Sequence, residues 1–209
     1  MSAHSPKTLK PRKIPSQSRS RVTLDAIFEA TIQVLLKQGM AGLTTTAVAE
    51  RAGVSVGTMY QYFPNKRSLV YALNKRFLTM LAEKVEDTCT FMEGRPVADA
   101  ADALIDTYWS VKTERMELTQ ALYRSVVELD NDTLLREFAA RVDKATTEMF
   151  RAAPDLSTDG IERVNLFLTT VIYGTVRNAF ERGIGLEDIS GLKSDLKVMC
   201  RAYLASVGK

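Results

Sequence analysis

The chain has 209 residues, 45% of them apolar, with a net charge of +3, two cysteines and one histidine. That apolar content suffices for a buried core, and the cysteines are too few for a disulfide scaffold. No apolar run is long enough for a membrane span or placed to form a signal peptide, so a reduced, cytoplasmic protein is expected. There is no His/Cys cluster, phosphate loop or dinucleotide fingerprint, which argues against catalysis, a metal site or a bound cofactor. The small net charge hides a split. Residues 1–76 carry 12 Lys and Arg against 3 Asp and Glu, and the remainder 16 against 22. A basic first third on an acidic body suits a nucleic-acid reader joined to a domain that does not touch nucleic acid.

In chain order, residues 1–18 form a basic Pro- and Ser-rich tail without apolar periodicity, expected to be disordered. His4 lies in it and reads as incidental. A first helix, Thr23 to Gln38, carries Ile27, Thr31, Val34 and Leu35 at helical spacing and closes at Gly39. Thr44 caps a second helix, in which Val48 pairs with Leu43 as a hydrophobic staple, and Gly53 supplies its left-handed end. Ser55 then caps a third helix, Val56 to Phe63. This is a helix-turn-helix whose last helix is the reader. Met59 and Phe63, with Val56 beside them, are expected to face inward; Gly57, Thr58 and Gln61 outward, flanked by Tyr60 and Tyr62. Pro64 ends the reader, and Asn65 caps a long fourth helix that opens with Lys66 and Arg67.

The run LTTTAVAERAGVSVGTMYQYFPNKRSL, residues 43–69, closely resembles the DNA-binding domain of the TetR family of bacterial transcription regulators. The likeness covers roughly the first third of the chain. It implies an all-α protein of about nine helices. Residues 19–68 would form a three-helix helix-turn-helix DNA-binding domain, and residues 69–209 a helical ligand-binding and dimerisation bundle. By position, the DNA contacts are Thr45, Thr46, Val56, Gly57, Thr58, Tyr60, Tyr62 and Lys66. Thr46 departs from relatives with a long basic side chain there, and threonine reaches less far.

Beyond Glu93-Gly94-Arg95-Pro96 the chain reads as helix throughout, with a loop at Pro154 to Asp159, a long helix at about Gly160 to Glu181 and a last one at Leu192 to Ala205. Asp99, Asp102 and Asp106 share a helical face, expected to be solvated. Tyr108, Trp109, Tyr123 and Phe167 are the expected contacts of a small apolar or aromatic effector. The last two helices carry excess apolar surface, including Leu168, Val171, Thr175, Leu196, Met199 and Tyr203. That surface serves either one subunit or a two-fold interface, and the resemblance implies a homodimer. The implied function is a ligand-responsive DNA-binding regulator, in the family's commonest mode a repressor, on a palindromic double-stranded operator. Cys89 and Cys200 read as packing residues.

Overall fold

A computed structural model describes residues 18–126 and 131–208. Among the described residues the regular elements are helices, with one isolated bridge between Leu156 and Gly208. They are α1 (Ser18–Gly42), α2 (Thr45–Ala52), α3 (Val56–Tyr62), α4 (Lys66–Met92), α5 (Val97–Glu114), α6 (Met116–Val126), α7 (Asp132–Arg151), α8 (Ile161–Glu181) and α9 (Leu186–Val207). The basic tail, apart from Ser18, lies outside the described residues. The chain divides into two compact units, one drawn from Met1–Phe77 and Ala121–Leu134, the other from Leu78–Gln120 and Leu135–Lys209.

In the first unit, α1 packs on α2 and α2 on α3. The expected caps are present: Ala47 N–H donates to Thr44 Oγ1 at 3.1 Å, Thr58 N–H to Ser55 Oγ at 3.0 Å, and Ser68 N–H to Asn65 Oδ1 at 2.9 Å. Each satisfies a helix-end donor that would otherwise lack a partner. Gly53 at φ 67 ends α2 and aims the chain into α3. Behind the turn, Ile27, Leu43, Val48, Met59, Phe63 and Leu69 are fully buried, with the Phe28 and Phe63 rings 5.9 Å apart. Arg76 of α4 lies over the Phe28 ring at 5.2 Å and pairs with Asp25 of α1.

In the second unit, α5 packs on α8 and α9, and α8 on α9. Leu81, Leu104, Ile105, Val142, Phe150, Leu168 and Val176 are wholly buried. The row Asp99, Asp102 and Asp106 is not simply a solvated face. Asp102 meets Arg201 at 2.8 Å, and Asp106 meets Lys193 at 2.6 Å and Lys197 at 2.7 Å, all on α9. Burial works to raise the Asp106 pKa, but the two lysines outweigh it and hold the carboxyl below its usual range. These pairs fix the register of α5 against α9 more than they add stability, because most of the groups remain partly exposed. α9 opens at Leu186, earlier than its apolar periodicity implies; buried Ile189 supplies the extra turn with a core contact.

Candidate nucleic-acid interface

The reader helix α3 has seven residues and two distinct sides. Met59 is fully buried and Phe63, just past its end, joins it in the core. Val56, Gly57, Tyr60 and Gln61 are exposed, Tyr60 at 46%. Thr58 is half-buried, and its hydroxyl shares a 2.8 Å hydrogen bond with Ser55 Oγ. Among the described residues nothing requires a glycine at 57. Its φ is not left-handed, and a Cβ there would meet Ser55 Oγ at 3.7 Å, an ordinary contact.

Two of the expected facings change here, those of Tyr62 and Val56. Tyr62 is 6% exposed, with its ring 6.3 Å from that of Phe63. It sits three residues after Met59, and at 3.6 residues per turn that spacing returns it to the inward side. Thr45 is likewise buried, whereas Thr46 is exposed. Val56, expected to face inward, is exposed because it opens the helix. Lys66 is half-buried, and its ammonium donates to the Met40 carbonyl at 3.2 Å, satisfying an acceptor near the end of α1. An ammonium has three donors, so two remain for another acceptor.

Of the four expected effector contacts, Tyr108, Trp109 and Phe167 lie in the second unit and Tyr123 in the first. Tyr108 and Trp109 are buried in the second unit. Tyr123 belongs to the first unit, half-buried. Phe167 is 44% exposed and stacks on Tyr203 of α9, ring centroids 4.4 Å apart. An aromatic group does form around Tyr108: its ring lies 4.3 Å from that of Tyr173, which lies 6.2 Å from Phe138. The Tyr173 hydroxyl is buried without a hydrogen-bond partner among the described residues, and burial raises its pKa, with Cys89 and Asp143 adding to the rise. It therefore stays a protonated donor.

Lys112 escaped sequence reading. It is 3% exposed, with its ammonium 5.5 Å from the Tyr108 ring centroid, and burial pushes its pKa down to about 7. The available signal was its place four residues after Tyr108, on the same helical face. Elsewhere in this unit a cleft of about 420 Å³ lies between α4 and α7, lined by Glu86, Cys89, Arg141, Lys144 and Met149 among others; none of the four expected effector residues lines it. Burial pushes the thiols up, Cys89 to about 12 and Cys200 to about 11, which keeps both unreactive as the packing reading requires.

Of the expected interface residues, Leu168 and Leu196 are buried within the chain, Val171, Thr175 and Tyr203 are half-buried, and Met199 is exposed. The most exposed large apolar side chains of α8 and α9 include Val198 at 67% and Leu166 at 61%. No helix among the described residues is long and apolar enough to cross a membrane, and no group of metal-ligating side chains is found among them.

Two family profiles match this architecture. That of the bacterial regulatory proteins of the tetR family covers residues 27–73, and that of the tetracyclin repressor-like C-terminal domain covers residues 96–204. The chain belongs to the TetR family of transcriptional regulators. Over 134 residues it is 31% identical to the HTH-type transcriptional repressor KstR of Rhodococcus jostii, a match spanning 64% of this chain and 58% of that protein. Over 61 residues it is 38% identical to the class C tetracycline repressor protein of Escherichia coli, 29% of this chain and 28% of that one. The chain thus spans little more than half the length of the first relative and about a quarter of the second. Among solved structures, a tetR-family protein from Mesorhizobium loti superposes with a TM-score of 0.74 at 16% identity, over 92% of this chain and 100% of that one. A TetR-family regulator from Streptomyces coelicolor gives 0.60 at 28%, over 88% and 99%. The first of these likenesses concerns the fold alone.

Proposed function

We propose that this protein is a ligand-responsive transcriptional repressor that binds a palindromic double-stranded operator as a homodimer and is released by a small apolar or aromatic effector. Residues 19–68 are the reading domain and residues 69–209 the effector and dimerisation domain, and the protein works in the cytoplasm. The observation that carries this reading is the outward side of α3, where Val56, Gly57, Tyr60 and Gln61 stand exposed while Met59 and Phe63 anchor the helix. Such a side fits a major groove, with Tyr60 and Lys66 donating to phosphates on its walls. Thr46 and Thr58 extend the contact; Tyr62 and Thr45, both buried, contribute support from beneath. Repressor function in the relatives from Rhodococcus and Escherichia points the same way.

Dimer formation is supported by the apolar exposure of Leu166, Phe167, Val198 and Met199 on α8 and α9. One seven-residue reader contacts few base pairs, and a two-fold pair doubles them. Effector binding is supported by the Tyr108, Phe138 and Tyr173 ring group, in which the Tyr173 hydroxyl has no hydrogen-bond partner among the described residues. Release is then a coupling free energy, typically about 1–3 kcal/mol, between two arrangements of the dimer. Selection of purified protein against random duplexes, followed by gel shift at physiological salt, tests the reading: an enriched inverted repeat is expected. Failure to enrich any sequence refutes it.

A further inference from the structure

The exposed side of α3 is chemically narrow enough to state which bases it reads. No residue of α3 is charged: its sequence is VGTMYQY. It therefore lacks the Arg or Lys that makes the commonest guanine contact, and the Asp or Glu that accepts from cytosine. Of the exposed residues, Gly57 offers no side chain and Val56 no hydrogen bond. Tyr60 carries one hydroxyl at the end of a rigid ring, suited to a groove wall. The Thr58 hydroxyl shares a bond with Ser55, and a hydroxyl can pair with any base, so it singles out none.

That leaves Gln61. Its side-chain amide presents a donor and an acceptor side by side, the pattern that pairs with N7 and the N6 amino group of adenine. It stands four residues after Gly57, about one turn along the same side. The bare backbone at 57 lets that side lie close to the base edges. Exposed Val56 supplies an apolar surface of the kind that meets a thymine methyl group.

We propose that Gln61 is a specificity-determining residue that reads an adenine in each operator half-site, with Val56 against a neighbouring thymine methyl. This rests on the DNA-binding reading above. The test is selection from a random duplex library by the full-length wild type, Gln61→Ala and Gln61→Arg. Wild type is expected to enrich an inverted repeat with one adenine per half-site that depends on residue 61. Gln61→Ala should lose about ten- to a hundredfold of the preference at that position, leaving the others unchanged. Gln61→Arg should move the preference there to guanine, a gain no merely structural role would produce. Because the side chain faces solvent, both variants should melt with the wild type. An enriched repeat whose base profile is the same in all three proteins overturns the assignment and leaves the DNA-binding reading intact, as does a residue-61-dependent position that is G·C in wild type. A wild type that enriches nothing refutes both.

Discussion

Replacing Gly57 by alanine should push stability and DNA binding in opposite directions. Glycine inside a helix is less favourable than alanine by about 0.5–1 kcal/mol, because it has more backbone freedom to lose on folding. Position 57 shows no compensating reason for it. The backbone is not left-handed, and the added methyl finds its nearest neighbour, Ser55 Oγ, at 3.7 Å. Gly57→Ala is therefore expected to stabilise the protein by about 0.5–1 kcal/mol, a rise in melting temperature of roughly 1–4 °C for a chain of this size. On DNA the same methyl occupies the surface that approaches the base edges. A loss of about 1.4 kcal/mol per reading helix is tenfold, and two helices in a dimer make it about a hundredfold. Thermal melts and fluorescence anisotropy on the selected operator measure the two effects. Wild-type affinity in Gly57→Ala would show that the glycine faces no groove. A lowered melting temperature would show an intramolecular role the present geometry lacks.

Three other perturbations bear on the same reading. Tyr60→Ala should leave stability unchanged and weaken operator binding about tenfold or more, since hydrogen bonds to charged groups contribute about 1.5–3 kcal/mol; gel-shift titration decides. Phe167→Glu places a carboxylate on the exposed α8 surface and is expected to convert a dimer to a monomer in sedimentation at micromolar concentration; an unchanged mass would put the interface elsewhere. For Lys112 the folded pKa, about 7, lies below its ordinary 10.5, so the unfolded chain binds more protons between those values and stability rises with pH there. At about 1.36 kcal/mol per pH unit, wild type should gain about 3 kcal/mol between pH 7 and 9.5. Lys112→Met removes that titration and should be nearly flat over that window in urea titrations. Parallel profiles for the two proteins would refute the buried-charge argument.

What the sequence by itself determined is local. Thr44, Ser55 and Asn65 as caps, Gly53 as the turn, and Met59 with Phe63 as anchors all depend on interactions within a few residues or on one helical period. Such interactions form the same way wherever the segment sits, so the helix-turn-helix was legible before any coordinates. The side of α3 taken by Tyr62 was legible too, given its three-residue spacing from Met59. Tertiary structure decided the rest, because apolar periodicity marks a buried stripe without naming what buries it. Leu168 and Leu196 repeat as an interface would, yet are covered within one chain, while Phe167 stands at the surface on Tyr203. Asp102 and Asp106 look solvated until Lys193, Lys197 and Arg201, about ninety to a hundred residues away in sequence, come to meet them. Lys112 and the Tyr173 hydroxyl became buried only through packing between distant helices, which no single segment of the chain encodes.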